Sequence, residues 1–89
     1  MSQPKIVMYC THICPYCTRA EHLLKKRGVT EIDKIFVDHE PQKIHEMIQR
    51  TNRRTVPQIF IGEKHVGGFD DLAELDIEDE LMPLLQGNV

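Results

Sequence analysis

The sequence predicts an α/β fold in which a four-stranded mixed sheet is flanked by helices. Two observations carry that prediction. Short apolar runs of strand length alternate with longer segments whose apolar residues recur at three- and four-residue steps. The last two short runs are separated only by Gly62-Glu63, which reads as a hairpin. The order is βαβ, then α, then ββα. A βαβ unit implies two parallel strands with a right-handed crossover, and an appended hairpin makes the sheet mixed.

Residues 5–9 (KIVMY) are short, apolar and partly β-branched, with Pro4 before them and polar residues after, as in a buried strand. From residue 15 to 27, Tyr16, Cys17, Ala20, Leu23 and Leu24 form the apolar stripe of an amphipathic helix. Arg19, Glu21, His22, Lys25 and Lys26 are expected to face water, and Gly28 follows as a helix stop. Residues 32–37 (IDKIFV) form the second strand. Asp38, Glu40 and Pro41 then open a helix whose buried stripe is Ile44, Met47 and Ile48. Residues 58–61 (QIFI) and 64–66 form the hairpin, and Gly67-Gly68 ends it. The last helix is expected over residues 70–80, with Leu72, Leu75 and Leu81 inside. That stretch holds half of the acidic residues, which reads as a solvated face.

A chain of 89 residues, 40% hydrophobic and 28% charged, supports one domain with a small core. Its net charge of −3 favours neither nucleic acid nor an anionic membrane as a partner. No apolar run approaches the ~18 residues of a membrane span, and the start MSQPKIVMYC does not read as a secretory signal. The cysteines are Cys10, Cys14 and Cys17, an odd and tightly clustered set. Such a set points to a reducing, cytoplasmic setting and to redox or metal chemistry, rather than to a stapled secreted domain.

Cys14-Pro15-Tyr16-Cys17 falls where a strand has ended and a helix begins. Free amide groups and the helix dipole stabilise a thiolate at that position, lowering the Cys14 pKa from its free value of ~8.5. Cys17 lies one turn further along and deeper, so Cys14 is expected to attack and Cys17 to resolve. A drop to pKa ~5 raises the thiolate fraction at pH 7 roughly 30-fold. Nucleophilicity falls roughly 50-fold over the same change at a Brønsted slope of ~0.5. Attack therefore gains little, while departure of Cys14 from a mixed disulfide gains much. A cycle driven by a small soluble thiol suits that profile. Zinc is the competing reading: Cys14 and Cys17 supply half a site that His12, Cys10 or His22 could complete, but no second ligand pair follows. Cys10 reads as a small buried hydrophobe. His39, His45 and His65 show no ligand spacing.

Three motifs in order and spacing resemble the small dithiol glutaredoxins over nearly the whole chain. They are Cys14-Pro15-Tyr16-Cys17 after the first strand, Thr55-Val56-Pro57 before the third, and Gly67-Gly68-Phe69-Asp70-Asp71 at the last helix. The resemblance implies a thioredoxin-like fold, a single domain spanning residues 1–89, and glutathione as co-substrate with no metal. It also implies reduction of protein disulfides and glutathionylated thiols by a cytoplasmic monomer. Pro57 would be cis, so that the Val56 backbone meets the peptide part of glutathione as an added strand does, with Thr55 lining the same groove. Gly67-Gly68 would let the ligand approach, and the helix N-terminus at Gly68 and Phe69 would take the γ-glutamyl carboxylate. Asp70 or Asp71 would pair with its ammonium group, and Tyr16 would flank its sulfur.

The chain departs from the family at two positions. Many members carry lysine where this chain has Thr11, the position that faces the glycine carboxylate of glutathione; Arg50, Arg53 or Arg54 could supply the missing charge. Phe69 stands where some members have a small residue or cysteine. Thioredoxin, an iron–sulfur carrier bridging two subunits through Cys14 and glutathione, and a zinc module are the alternatives. The glutathione-site residues weigh against the first, and Pro15 against the second.

Overall fold

The computed structural model describes residues 4–87. Strand β1 (Ile6–Cys10) leads to helix α1 (Pro15–Lys26) and strand β2 (Asp33–Phe36). Helix α2 (Pro41–Thr51), strands β3 (Gln58–Ile61) and β4 (Lys64–Gly67), and helices α3 (Phe69–Ile77) and α4 (Leu81–Leu85) complete the chain. The sheet order is β2-β1-β3-β4. β1 runs parallel to β2 and antiparallel to β3, and β3 pairs antiparallel with β4 across a register shift at Ile59/Phe60. This is the mixed four-stranded sheet that the element order implied.

β1 is buried on both faces, and its alternation divides the core. Ile6, Met8 and Cys10 join Ile59 and Ile61 of β3 against Ala20 and Leu24 of α1, Leu72 of α3, and Leu81, Leu84 and Leu85 of α4. Tyr9 and Phe60 point the other way and meet Val37 and Met47. Side chains alternate faces along a strand, so one apolar run serves both layers. The second layer is fastened by polar groups as well. The Tyr9 hydroxyl donates to the Glu46 carboxylate and accepts from Arg50 Nη1 at 2.8 Å, while the Arg50 guanidinium lies 4.1 Å from the Phe60 ring centroid.

α1 ends as its sequence suggests. Gly28 adopts φ +99°, and the amides of Gly28 and Val29 close back on the carbonyls of Lys25 and Leu24 at 3.0 and 3.1 Å, a Schellman motif with Val29 buried behind it.

Four expectations need correction. The last helix stops at Ile77, not near residue 80. Asp79 turns to φ +60°, and Leu81 opens the separate helix α4, where Pro83 fits because first-turn amides need no intrahelical partner. The acids Glu78, Asp79 and Glu80 occupy the break. Ile44 is 39% exposed, and Met47 alone of the expected α2 stripe is fully buried, because α2 covers only the smaller layer. Tyr16 is 53% exposed and not part of the α1 core. Glu21 is half-buried instead of fully solvated, gripped by Lys34 at 2.7 Å and Lys25 at 2.9 Å.

Candidate redox and ligand site

β1 ends in the core at Cys10, and four residues later Cys14 caps α1 from an extended conformation (φ −150°). Pro15 follows at the first helical position, where its missing N–H costs nothing. Cys14 and Cys17 form a disulfide, with Cα atoms 5.2 Å apart, and the Cys17 amide donates to Cys14 Sγ at 3.1 Å. That amide is one of the free donors of the first turn, aimed at the sulfur that would carry negative charge on reduction. Cys17 is buried and Cys14 half-buried, which leaves Cys14 the more accessible sulfur. Cys10 is a free, buried cysteine, and burial pushes its pKa up, which keeps it a thiol. Ile13, immediately before the disulfide, is 92% exposed.

Beside the disulfide runs an open groove of about 340 Å³. Tyr16 and Phe69 bound it, with ring centroids 6.2 Å apart. Thr55, Val56 and Pro57 form one side, with the Val56–Pro57 peptide cis. Gly68, Asp70 and Asp71, at the start of α3, form the other. All eight residues named from sequence as ligand-binding thus line one groove. Arg53 joins them. Of the three arginines considered, Arg50 is committed to Tyr9 and Phe60, and Arg53 reaches the groove, where its Nη1 donates to Asp71 Oδ2 at 2.9 Å. Thr11 lies elsewhere, in a cavity of about 180 Å³ shared with Cys14, Cys17 and His12.

Asp71 does several jobs at once. Its carboxylate accepts the Gly68 amide at 2.9 Å, as an acid at the third helical position does in a capping box, and pairs with Arg53. The Gly68 N–H first, then Arg53, hold its carboxyl below the usual carboxylate range. Gly67 makes the arrangement possible: at φ +117°, a Cβ there would collide with the Asp71 carboxylate.

The sequence reading missed how the Thr55–Pro57 turn is held. Gln58 is fully buried, and its Nε2 donates to the Thr55 carbonyl at 2.9 Å. Its Oε1 is 2.8 Å from His65 Nε2 on β4, which must then carry the proton. A glutamine opening an otherwise apolar strand was the available signal, because a buried amide requires partners. The reading also missed the grouping of His12, Asp38 and His39.

Comparison with known proteins agrees with this construction. The glutaredoxin family model matches residues 6–66. The glutaredoxin of Neisseria meningitidis serogroup A is 52% identical over 80 residues, covering 90% of this chain and 94% of that protein. Among solved structures, the solution structure of glutaredoxin from Brucella melitensis superposes with a TM-score of 0.85 at 42% identity, covering 100% of this chain and 96% of that one. The crystal structure of a buckwheat glutaredoxin–glutathione complex gives a TM-score of 0.85 at 32% identity, covering 97% of this chain and 79% of that one. The fold and its N-terminal dithiol define a thiol–disulfide oxidoreductase of the thioredoxin-like class. The chain belongs to the glutaredoxin family. Among the described residues, no helix is long and apolar enough to cross a membrane.

Proposed function

We propose that this single-domain chain uses glutathione, in the cytoplasm, to reduce glutathionylated thiols and protein disulfides, with Cys14 as nucleophile and Cys17 as resolving thiol. The supporting observation is the groove at Tyr16, which gathers the Val56 segment before the cis-Pro57, a helix N-terminus at Gly68 and both charge signs at Arg53 and Asp71. A γ-glutamyl tripeptide offers matching groups: two carboxylates, one ammonium and a central peptide. The buckwheat relative is described in complex with glutathione, and its fold superposes on this one over nearly the whole chain.

The chemistry follows from the position of Cys14. In the reduced protein its thiolate attacks the glutathione sulfur of a mixed disulfide, and the substrate leaves as a thiolate that takes a proton from solvent. A second glutathione thiolate then attacks the bound glutathione sulfur and expels Cys14, yielding glutathione disulfide. The helix N-terminus, with the Cys17 amide aimed at Cys14 Sγ, favours a thiolate there, which makes Cys14 the better leaving group in this step. On a protein disulfide, Cys14 attacks one sulfur and releases the other. Cys17 then attacks Cys14, frees the substrate's second thiol and leaves the Cys14–Cys17 disulfide, which two glutathiones reduce.

The test couples turnover of a glutathionylated peptide to glutathione, its reductase and NADPH. Wild type should turn over, Cys14→Ser should fall to background, and Cys17→Ser should keep the mixed-disulfide route while losing protein-disulfide reduction. Turnover by Cys14→Ser, or none by wild type with glutathione, would reject the reading.

A further inference from the structure

Next to the small cavity that His12 shares with Cys14 and Cys17, two loops meet. His12 lies between β1 and α1, and Asp38 and His39 lie between β2 and α2. His12 Nδ1 is 2.8 Å from Asp38 Oδ2, and His39 Nε2 is 3.7 Å from the same oxygen. One ligand atom from each of the three residues falls within 4.8 Å of the others. Two donors bound to one tetrahedral zinc at about 2.1 Å stand roughly 3.4 Å apart. The two separations to Asp38 Oδ2 bracket that value; the shorter is a hydrogen bond whose proton an ion would replace, and with all three donors within 4.8 Å, side-chain shifts would bring them around one ion.

The arrangement is also held in place. The His12 ring stacks on Phe36, with centroids 4.1 Å apart and planes 13° from parallel. The His12 backbone N–H donates to Asp38 Oδ2 at 3.1 Å, which fixes the carboxylate between the loops. Two of the three ligands are thereby oriented before any ion arrives, as supporting contacts do in metal sites generally.

We propose that His12, Asp38 and His39 form a surface site for one divalent transition-metal ion of the zinc, copper or nickel class. Two imidazoles and one carboxylate suit these ions, whereas magnesium and calcium prefer all-oxygen sets. Three protein ligands leave a coordination position for water or a solute. The site is separate from any that the cysteines could form, since it uses neither sulfur. His12 lies two residues before Cys14 and lines the same small cavity, so an ion here would tie the loop that carries the nucleophile to the loop after β2.

The test uses oxidised protein, in which Cys14 and Cys17 offer no thiolate. Zinc alone is titrated by calorimetry, and copper(II) binding is followed by electron paramagnetic resonance. The expected result is one ion per chain, with a copper spectrum showing two imidazole nitrogens. His39→Ala, at an exposed position, and His12→Ala should each lose one nitrogen and weaken zinc at least roughly 10-fold, the scale on which even supporting residues of metal sites act. Asp38→Asn should weaken it likewise, and His45→Ala, on the outer surface of α2, should bind as wild type does. Undetectable zinc binding to wild type, or unchanged binding in both His39→Ala and His12→Ala, would overturn the site.

Discussion

Arg53 and Asp71 share the groove, and the pair shows how a single residue tunes it. Their side chains are 47% and 42% exposed and linked at 2.9 Å, so the bond is a surface ion pair of modest worth. An incoming carboxylate can replace Asp71 as the partner of Arg53 at little cost, because the pair is already solvated. Arg53→Ala should therefore weaken the apparent affinity for glutathione by about 1.5- to 5-fold, corresponding to ~0.2–1 kcal/mol for one exposed pair. The loss should shrink as salt is added, and the rate at saturating glutathione should stay near wild type, since Cys14 is untouched. Titration of glutathione at low and high ionic strength measures this. An unchanged dependence at low salt would remove Arg53 from the ligand site. The importance of arginine was legible in the sequence only as a gap, the absence of lysine at position 11. Which arginine reaches the groove depends on how α2 ends, and that required the fold.

At the scale of elements, the junction between β4 and α3 sets one wall of the groove. Gly67 combines φ +117° with a position where a Cβ would strike the Asp71 carboxylate and crowd Arg53 Nη1 at 3.1 Å. Gly67→Ala should cost about 1–3 kcal/mol of stability, as expected of a residue forced into glycine-only backbone space. It should also displace Asp71 from the Gly68 amide. A denaturation midpoint within error of wild type would contradict this. The motifs Cys14-x-x-Cys17, Thr55-Val56-Pro57 and Gly67-Gly68 were readable because each imposes its geometry on neighbouring residues. The boundary between α3 and α4 was not, since the run of acids from Glu74 to Glu80 is compatible with a continuous helix. The break lets α4 turn Leu81, Leu84 and Leu85 into the core. The pairings of Gln58 with His65 and of His12 with Asp38 join residues from different elements, and no local periodicity encodes them.

At the scale of the whole molecule, the ion pairs predict the response to acid. Asp76 is held below its usual range by Arg27, whose Nε and Nη2 donate to it at 2.6 and 2.8 Å. Glu21 is lowered by Lys34 and then Lys25, Asp38 by His12, and Asp71 by the Gly68 amide and Arg53. A carboxyl whose folded pKa is depressed contributes stability that is present above its unfolded value, near 4. That contribution is lost as pH falls through the folded value. Burial lowers His65, so its contribution is present above roughly pH 6.5 and begins to fade below it. Glu78 works the other way: its hydrogen bond with Glu80 raises it, and its contribution is present at low pH and lost as pH rises. Four lowered carboxyls outweigh one raised carboxyl, so the net slope is toward instability in acid. Tm measured from pH 8 to pH 2.5 should hold level above about 6.5, decline gently as His65 is charged, and fall steeply below about 4. His65→Gln should remove the gentle decline, because a neutral amide replaces the imidazole beside Gln58. Arg27→Met should lower Tm at neutral pH and flatten part of the steep limb, because Asp76 then no longer titrates differently in the folded and unfolded states. A Tm that is flat from pH 7 to 3, or that rises on acidification, would mean that the acidic end of α3, and not the ion pairs, governs the electrostatics of folding.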